Sequence, residues 1–464
     1  VVTVSVTAPP AAPPAREDRI GDAEALFKEA RRRTRRRRLI RLSVASVTVG
    51  SGVLTYCVGF DTHATTALTS APVPAVNKNA FAHHGILAFV SQGGLWVLDG
   101  HRLTAVSRPY QQASEPEFSP NRRWLTYTLD NGLQTWLARS DGSEPRLVAQ
   151  ADDSAGWLPS GLLVMGTGIW HVSATGTLTR VGIRPEGLLA WSADGRRYVF
   201  ASSTMTGPFT EHRKGLERLQ VSSTLTGKRT TWYQAPVSFT KRSGLQGPFI
   251  EAAAVLPRDS GILFRVDPSQ SDDADGAPLY ATRSRGAQPE ALGLTVGFPV
   301  TIGPTGAFAI TSGDNRYGWQ NKTVETCSAT TAGCSRMPTA HGVLSFDPAY
   351  APDGKTLAFV EAPSSTAADF SQTTVQRWYA THTLWIRHGN APPSEINVVN
   401  GASTPTWSEN SKSLLYVTDD GLWLLPTLAS KPIRVASPLF TPGDWSSFYG
   451  EIDWSEQFAW LSHP

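Results

Sequence analysis

A chain of 464 residues, 40% hydrophobic and carrying 15 Trp, is long enough to bury a large core, and its 3 Cys exclude a scaffold built mainly on disulfides. The net charge of +3 is unevenly placed: residues 1–60 hold 11 Lys+Arg against 5 Asp+Glu, which leaves 31 against 34, a net −3, for residues 61–464. The basic character belongs to the first sixty residues, so it makes no case for nucleic-acid binding by the remainder.

In chain order, Val1 to Ala15 is rich in Pro, Ala and Val and predicts disorder. Ile20 to Arg38 reads as a basic helix, and Arg31 to Arg41 contains eight Arg. Leu42 to Phe60 follows, nineteen residues without a charge. At about 1.5 Å per residue such a helix can cross a bilayer. The Arg block before it predicts the N-terminus inside and the rest of the chain outside. The expected division is therefore a disordered, basic cytoplasmic segment (1–41), a transmembrane helix (42–60), a Thr/Ala/Pro-rich stalk (61–84) and one further domain (85–464). Two alternatives stay open: a cleaved export signal, and a soluble form whose Arg tail binds nucleic acid. Cys57 reads as a small residue of the apolar span.

From residue 85 onward a phrase repeats. It reads Phe118-Ser119-Pro120-Asn121-Arg122-Arg123, Trp191-Ser192-Ala193-Asp194-Gly195-Arg196, Tyr350-Ala351-Pro352-Asp353-Gly354-Lys355 and Trp407-Ser408-Glu409-Asn410-Ser411-Lys412. Each copy precedes a short apolar run, such as Leu357-Ala358-Phe359. The aromatic ends a strand, the polar residues and Gly or Asn make a turn, and the apolar run is the next strand. A second hairpin often follows, as in Gly93 to Asp99 and Gly421 to Leu425. Four antiparallel strands per unit is a propeller blade. Degenerate copies at Trp157, Leu256, Ile302 and Asp453-Trp454-Ser455-Glu456 bring the starts to eight, near residues 118, 157, 191, 255, 302, 350, 407 and 454. A period of roughly 40–50 residues means stacked supersecondary units. The expected fold is all-β, a β-propeller of eight blades. Seven stays open, because the copies near 255 and 302 are the weakest. Gly85 to Val106 lacks the phrase that Asp453 to Glu456 supplies, so the two segments should complete one blade and close the ring.

The aromatic-Ser-Pro-Asp-Gly-Lys phrase followed by a short apolar strand resembles the TolB-type, WD40-like propeller repeat, over about 380 residues. The resemblance implies a β-propeller, frequently exported, that binds proteins or is fused to another module. The same propeller gates prolyl-oligopeptidase-like peptidases, but no Gly-x-Ser-x-Gly nucleophile elbow occurs in this sequence.

Cys327 and Cys334 bracket six turn-forming residues and can face each other across a hairpin, which predicts a disulfide outside the cytoplasm. Ser271 to Gly276 hints at a calcium loop. Ser271 replaces its first Asp and Thr282 its terminal Glu, so no metal site is assigned. Trp96, Trp136, Trp170, Trp385 and Trp423 recur at fixed blade positions and read as packing between sheets, whereas Trp319 falls outside the pattern and reads as exposed. No catalytic motif is present, and no catalytic residue or cofactor is assigned. Acidic residues gather where innermost strands should begin: Glu115, Glu117, Glu251, Asp347, Glu451 and Asp453. They are the candidate binding residues of a channel mouth, and solvated blade ends would explain them equally well. The expected function is a membrane-anchored, extracytoplasmic, non-enzymatic propeller that scaffolds a protein partner or senses an envelope ligand. The alternative is a hydrolase or lyase acting on envelope polysaccharide through channel carboxylates.

Overall fold

The computed structural model describes residues 73–463 apart from 131, 151–154, 207–211, 225, 241–243, 269–275, 296–299, 329–332, 368, 370, 440–451 and 453. Leu42–Phe60 lies outside the described residues, and so does the Ser271 to Asp275 part of the calcium-like loop. Among the described residues no helix is long and apolar enough to cross a membrane.

Eight antiparallel sheets follow one another along the chain, each of four strands or of four plus one. Eight blades therefore form the propeller, as the eight phrase starts predict. First strands of neighbouring blades pack on one another, so each blade's first strand is the innermost. Blade 1 pairs Phe458–Leu461 with Ile86–Ser91, Gly94–Asp99 and Arg102–Ala105. Its first strand comes from the far end of the sequence, with Phe89 opposite Phe458 and Ile86 opposite Leu461, so the two ends share a blade.

The phrase works the same way in three copies. Ser119, Ser192 and Ser408 each donate through Oγ to the Asx residue two positions on, at 2.8, 2.6 and 2.9 Å. Each Oγ also accepts from the backbone N–H five positions on, that of Trp124, Arg197 or Ser413, at 2.9, 3.0 and 2.9 Å. The residue after the Asx takes a left-handed φ: +61° at Arg122, +67° at Gly195, +61° at Ser411 and, in blade 7, +68° at Gly354. Gly354 has a second reason to be glycine, since a Cβ there would sit 2.9 Å from Pro304 of the blade 6 turn.

These turns also interlock. Asp353 N donates to Ser411 Oγ of blade 8 at 2.9 Å, and Glu409 N to Ser462 Oγ of blade 1 at 2.7 Å. One face of the ring is thus a chain of tight phrase turns. In an antiparallel blade the second-to-third connections and the crossings between blades lie on the opposite face, and there the sequence elaborates. Blade 6 carries the loop 313–322, and blade 7 an insertion (364–382) with a helix, here called α1 (Gln372–Tyr379). Blade 4 extends its strands to 10, 12 and 12 residues, Arg197–Thr206, His212–Ser223 and Arg229–Thr240.

Trp96 is 7% exposed, and Trp136, Trp170, Trp385 and Trp423 pack partly buried against the inter-blade clusters. The expectation of an exposed Trp319 is corrected: its side chain is wholly buried. Its indole N–H donates to Ala367 O at 2.8 Å, and its ring meets Trp378 edge-on at 5.7 Å. The loop folds inward because the buried Lys322 ammonium binds the carbonyls of Asn315, Tyr317 and Gln320 at 2.5, 3.0 and 3.2 Å. Cys327 and Cys334 are directly opposite each other in blade 6 and are joined by a disulfide.

The described part of the segment expected as a stalk is docked rather than free. Ala75–Val76 adds a fifth strand to the outer edge of blade 8, opposite Ser437 and Ala436. Phe81, wholly buried, then packs against Trp460 of blade 1.

Candidate functional site: the ring mouth on the loop-rich face

Innermost strands begin on the loop-rich face, and there the backbone departs from regular pairing. Register shifts fall between Ser114 and Glu117, Ile250 and Ala252, Phe346 and Ala349, and Ser403 and Thr406, in blades 2, 5, 7 and 8. In three of these the bulged residue precedes proline and has a left-handed φ: Glu115 (+54°), Asp347 (+49°) and Thr404 (+51°). Non-glycine residues held there cost about 1–3 kcal/mol each and persist where surrounding structure fixes them. Bulges of this kind re-aim side chains at sheet rims. Blades 7, 8, 1 and 2 are consecutive around the ring, so the three strained positions share one arc of the mouth.

The sequence-predicted carboxylates divide by their partners. Asp347 Oδ2 accepts from Thr404 N at 3.3 Å, a bond from blade 7 to blade 8. Glu117 Oε1 accepts from Trp157 N at 3.4 Å, a bond from blade 2 to blade 3. Glu251 forms an ion pair with Arg265 of its own blade, with side chains only 6% and 7% exposed. It is a closed pair in the blade rather than an open charge at the mouth. Glu451 and Asp453 lie outside the described residues. The structure thus brings Glu115 and Glu117 together on one strand.

Glu117 is the group with unusual chemistry. Its side chain reaches solvent from the innermost strand of blade 2, beside Trp157 of the next blade. Desolvation raises its pKa to about 7; the N–H of Trp157 opposes the rise and the charge of Glu115 adds to it. A carboxyl poised there can hold or release a proton at neutral pH. Glu361, on the second strand of blade 7, is also raised to about 7, by burial and then by Glu395. Among the described residues no group of three or more His, Cys, Asp or Glu could hold a metal ion. An open recess lined by Ala75 to Asn79 and Arg434 lies at the outer edge of blade 8, away from these carboxylates.

Sequence reasoning missed Glu361, Thr404 and a buried histidine, His382. A signal for the strained positions was present. Glu115-Pro116-Glu117-Phe118, Asp347-Pro348-Ala349-Tyr350 and Thr404-Pro405-Thr406-Trp407 repeat X-Pro at the same offset before the aromatic.

No protein-family model matches the chain, and no curated protein matches it. Solved structures do match. An oligogalacturonate lyase in complex with manganese is 12% identical, over 80% of this chain and 88% of that one, with a TM-score of 0.40. A eukaryotic initiation factor is 10% identical, over 77% and 97%, with a TM-score of 0.39. TolB from Acinetobacter baumannii is 14% identical, over 80% and 86%, with a TM-score of 0.29. Likeness at this level carries no inference about function, and the fold rests on the strand pairing given above.

Proposed function

We propose that this chain is a membrane-anchored, extracytoplasmic β-propeller that binds a protein partner or an envelope ligand through the ring mouth on its loop-rich face. One observation carries the choice of face. The phrase turns on one side are tied to one another, while the strained innermost-strand bulges and the long insertions of blades 4, 6 and 7 gather on the other. Binding residues concentrate on loops that a rigid scaffold positions. The uncharged span Leu42–Phe60 behind an Arg block supports the anchor.

Glu115, joined by Glu117 above pH 7, gives this mouth negative charge, which favours a cationic ligand surface in a salt-dependent way. The test is capture of envelope components by the full chain and by a Glu115→Gln/Glu117→Gln variant. Gln keeps an acceptor for Trp157 N. Weaker capture by the variant, chiefly at low ionic strength, supports the proposal. Identical capture at every salt concentration would remove the mouth from consideration.

A second reading is favoured by Glu117 itself. A channel carboxyl with a pKa near 7 suits a general acid in hydrolase or lyase chemistry on an envelope polysaccharide. Turnover of a polysaccharide panel that vanishes in Glu117→Gln, while capture persists, would select that reading.

A further inference from the structure

We infer that His382 is an acid-sensitive latch: acidification charges its imidazole and frees α1, together with Ile452 and Trp454, which α1 holds against the ring. His382 lies between α1 and the third strand of blade 7 and is wholly buried. Its ring is near-perpendicular to those of Phe346, on the first strand of blade 7, and Trp378, at 5.0 and 4.3 Å, and tilted against that of Tyr379 at 4.5 Å. Nδ1 is 2.9 Å from Ser403 Oγ on the first strand of blade 8. Nε2 is buried with no hydrogen-bond partner.

The cage offers the charged imidazole one neutral acceptor, Ser403 Oγ at Nδ1, and no partner at Nε2. Of the groups named, only Tyr379 titrates, and its hydroxyl accepts from Ile452 N at 2.9 Å. Asp347, next along the strand from Phe346, accepts from Thr404 N of blade 8. Desolvation accordingly holds the imidazole at about 3, below its ordinary 6.5. The imidazole can therefore accept a proton near pH 5 only when the cage opens.

What opens is set by the contacts of α1. Tyr379 binds Ile452 N and packs edge-on against Trp454 at 6.1 Å. Trp454 is buried just before Phe458–Leu461, the strand that closes the ring. Phe346 and Ser403 directly precede Asp347 and Thr404 of the mouth, so the latch lies immediately behind it. The inference concerns opening alone and holds whatever the mouth binds.

A group protonated only in the open state makes the opening equilibrium rise about tenfold per pH unit below its solution pKa. The test is hydrogen exchange of the full chain between pH 7 and 4.5, corrected for intrinsic rates. Peptides covering 372–382 and 452–461 should lose protection about tenfold per pH unit below 6.5, while peptides of blade 3 (155–183) stay flat. His382→Gln cannot titrate and should abolish that slope, and His382→Asn serves if the first variant does not fold. An equal slope in variant and wild type overturns the latch. So does, in the wild type alone, the same loss in blade 3 as in 372–382.

Discussion

Arg122 and Glu409 stand 287 residues apart in sequence and meet at 2.7 Å. Arg122 belongs to the phrase turn of blade 2 and Glu409 to that of blade 8, so the pair reaches across blade 1. Arg122 also donates to Ser462 O, on blade 1 itself. The blade completed by the two ends of the propeller is thereby clasped by both of its neighbours.

Both members of the clasp are substantially exposed, so the ion pair alone should contribute little, about 0.2–1 kcal/mol. A double-mutant cycle of Arg122→Met and Glu409→Gln, followed by urea unfolding, should return a coupling energy in that range. Arg122→Met should cost more than Glu409→Gln, because it also removes the donor to Ser462 O. Equal costs would show that the carbonyl contact adds nothing.

Removing residues 458–464 deletes the innermost strand of blade 1 and exposes the edge of Ile86–Ser91. Phe458 and Leu461, both buried, leave with it. Losing buried side chains of this size costs roughly 2–5 kcal/mol each. The truncated chain should show a clearly lower melting temperature and a greater tendency to aggregate. An unchanged melt would mean the shared blade contributes little to the ring.

Glu117 and Glu361 both carry a folded-state pKa of about 7, above the ordinary 4.5. The folded protein then binds protons more tightly than the unfolded chain. Their contribution to stability is complete below about pH 4.5 and is lost as pH rises through 7. Glu117→Gln and Glu361→Gln should each raise the melting temperature relative to wild type at pH 8 and leave the difference smaller at pH 4.5. His382 acts oppositely, since its lowered value makes stability fall as pH drops from 6.5 toward 3.

The Cys327–Cys334 bond closes a short loop, with a sequence separation of 7. Its stabilisation should be at or below about 3 kcal/mol. A Cys327→Ser/Cys334→Ser variant should therefore still fold, with a modest fall in urea midpoint. Loss of folding altogether would mean that blade 6 depends on the bond.

The proposed topology places Ser70 outside the cell. Ser70→Cys should react with a membrane-impermeant thiol reagent in intact cells, and reaction only after lysis would reject the orientation.

The repeat was legible because each blade solves one local problem, and Ser119, Ser192 and Ser408 solve it with the same hydrogen bonds. Period and turn chemistry are local, so eight starts gave eight blades. Partners were not legible. Glu251 reads like Glu117 in sequence, but Arg265 lies fourteen positions on and only strand pairing brings the two together. Trp319 read as exposed because its cover, Ala367 and Trp378, comes from the next blade. Charge pattern picks out Glu117 and Glu251 alike, while burial and pairing, which depend on distant chain, separate the exposed Glu117 from the paired Glu251.

The docking of Ala75–Val76 has a mechanical consequence. Tension arriving through the preceding chain first meets a strand with two paired residues on the outside of blade 8, then Asn77, whose N–H donates to Val435 O at 2.9 Å. Behind them the load passes to Phe81 and the second strand of blade 1, at the seam where the ring is closed without a covalent bond. A pull on the preceding chain would therefore peel the short strand first and only then load the joint that Arg122 and Glu409 clasp. Under such a load the small strand on blade 8 would act as a strain relief, sparing the seam until the force exceeds what a few backbone hydrogen bonds can bear.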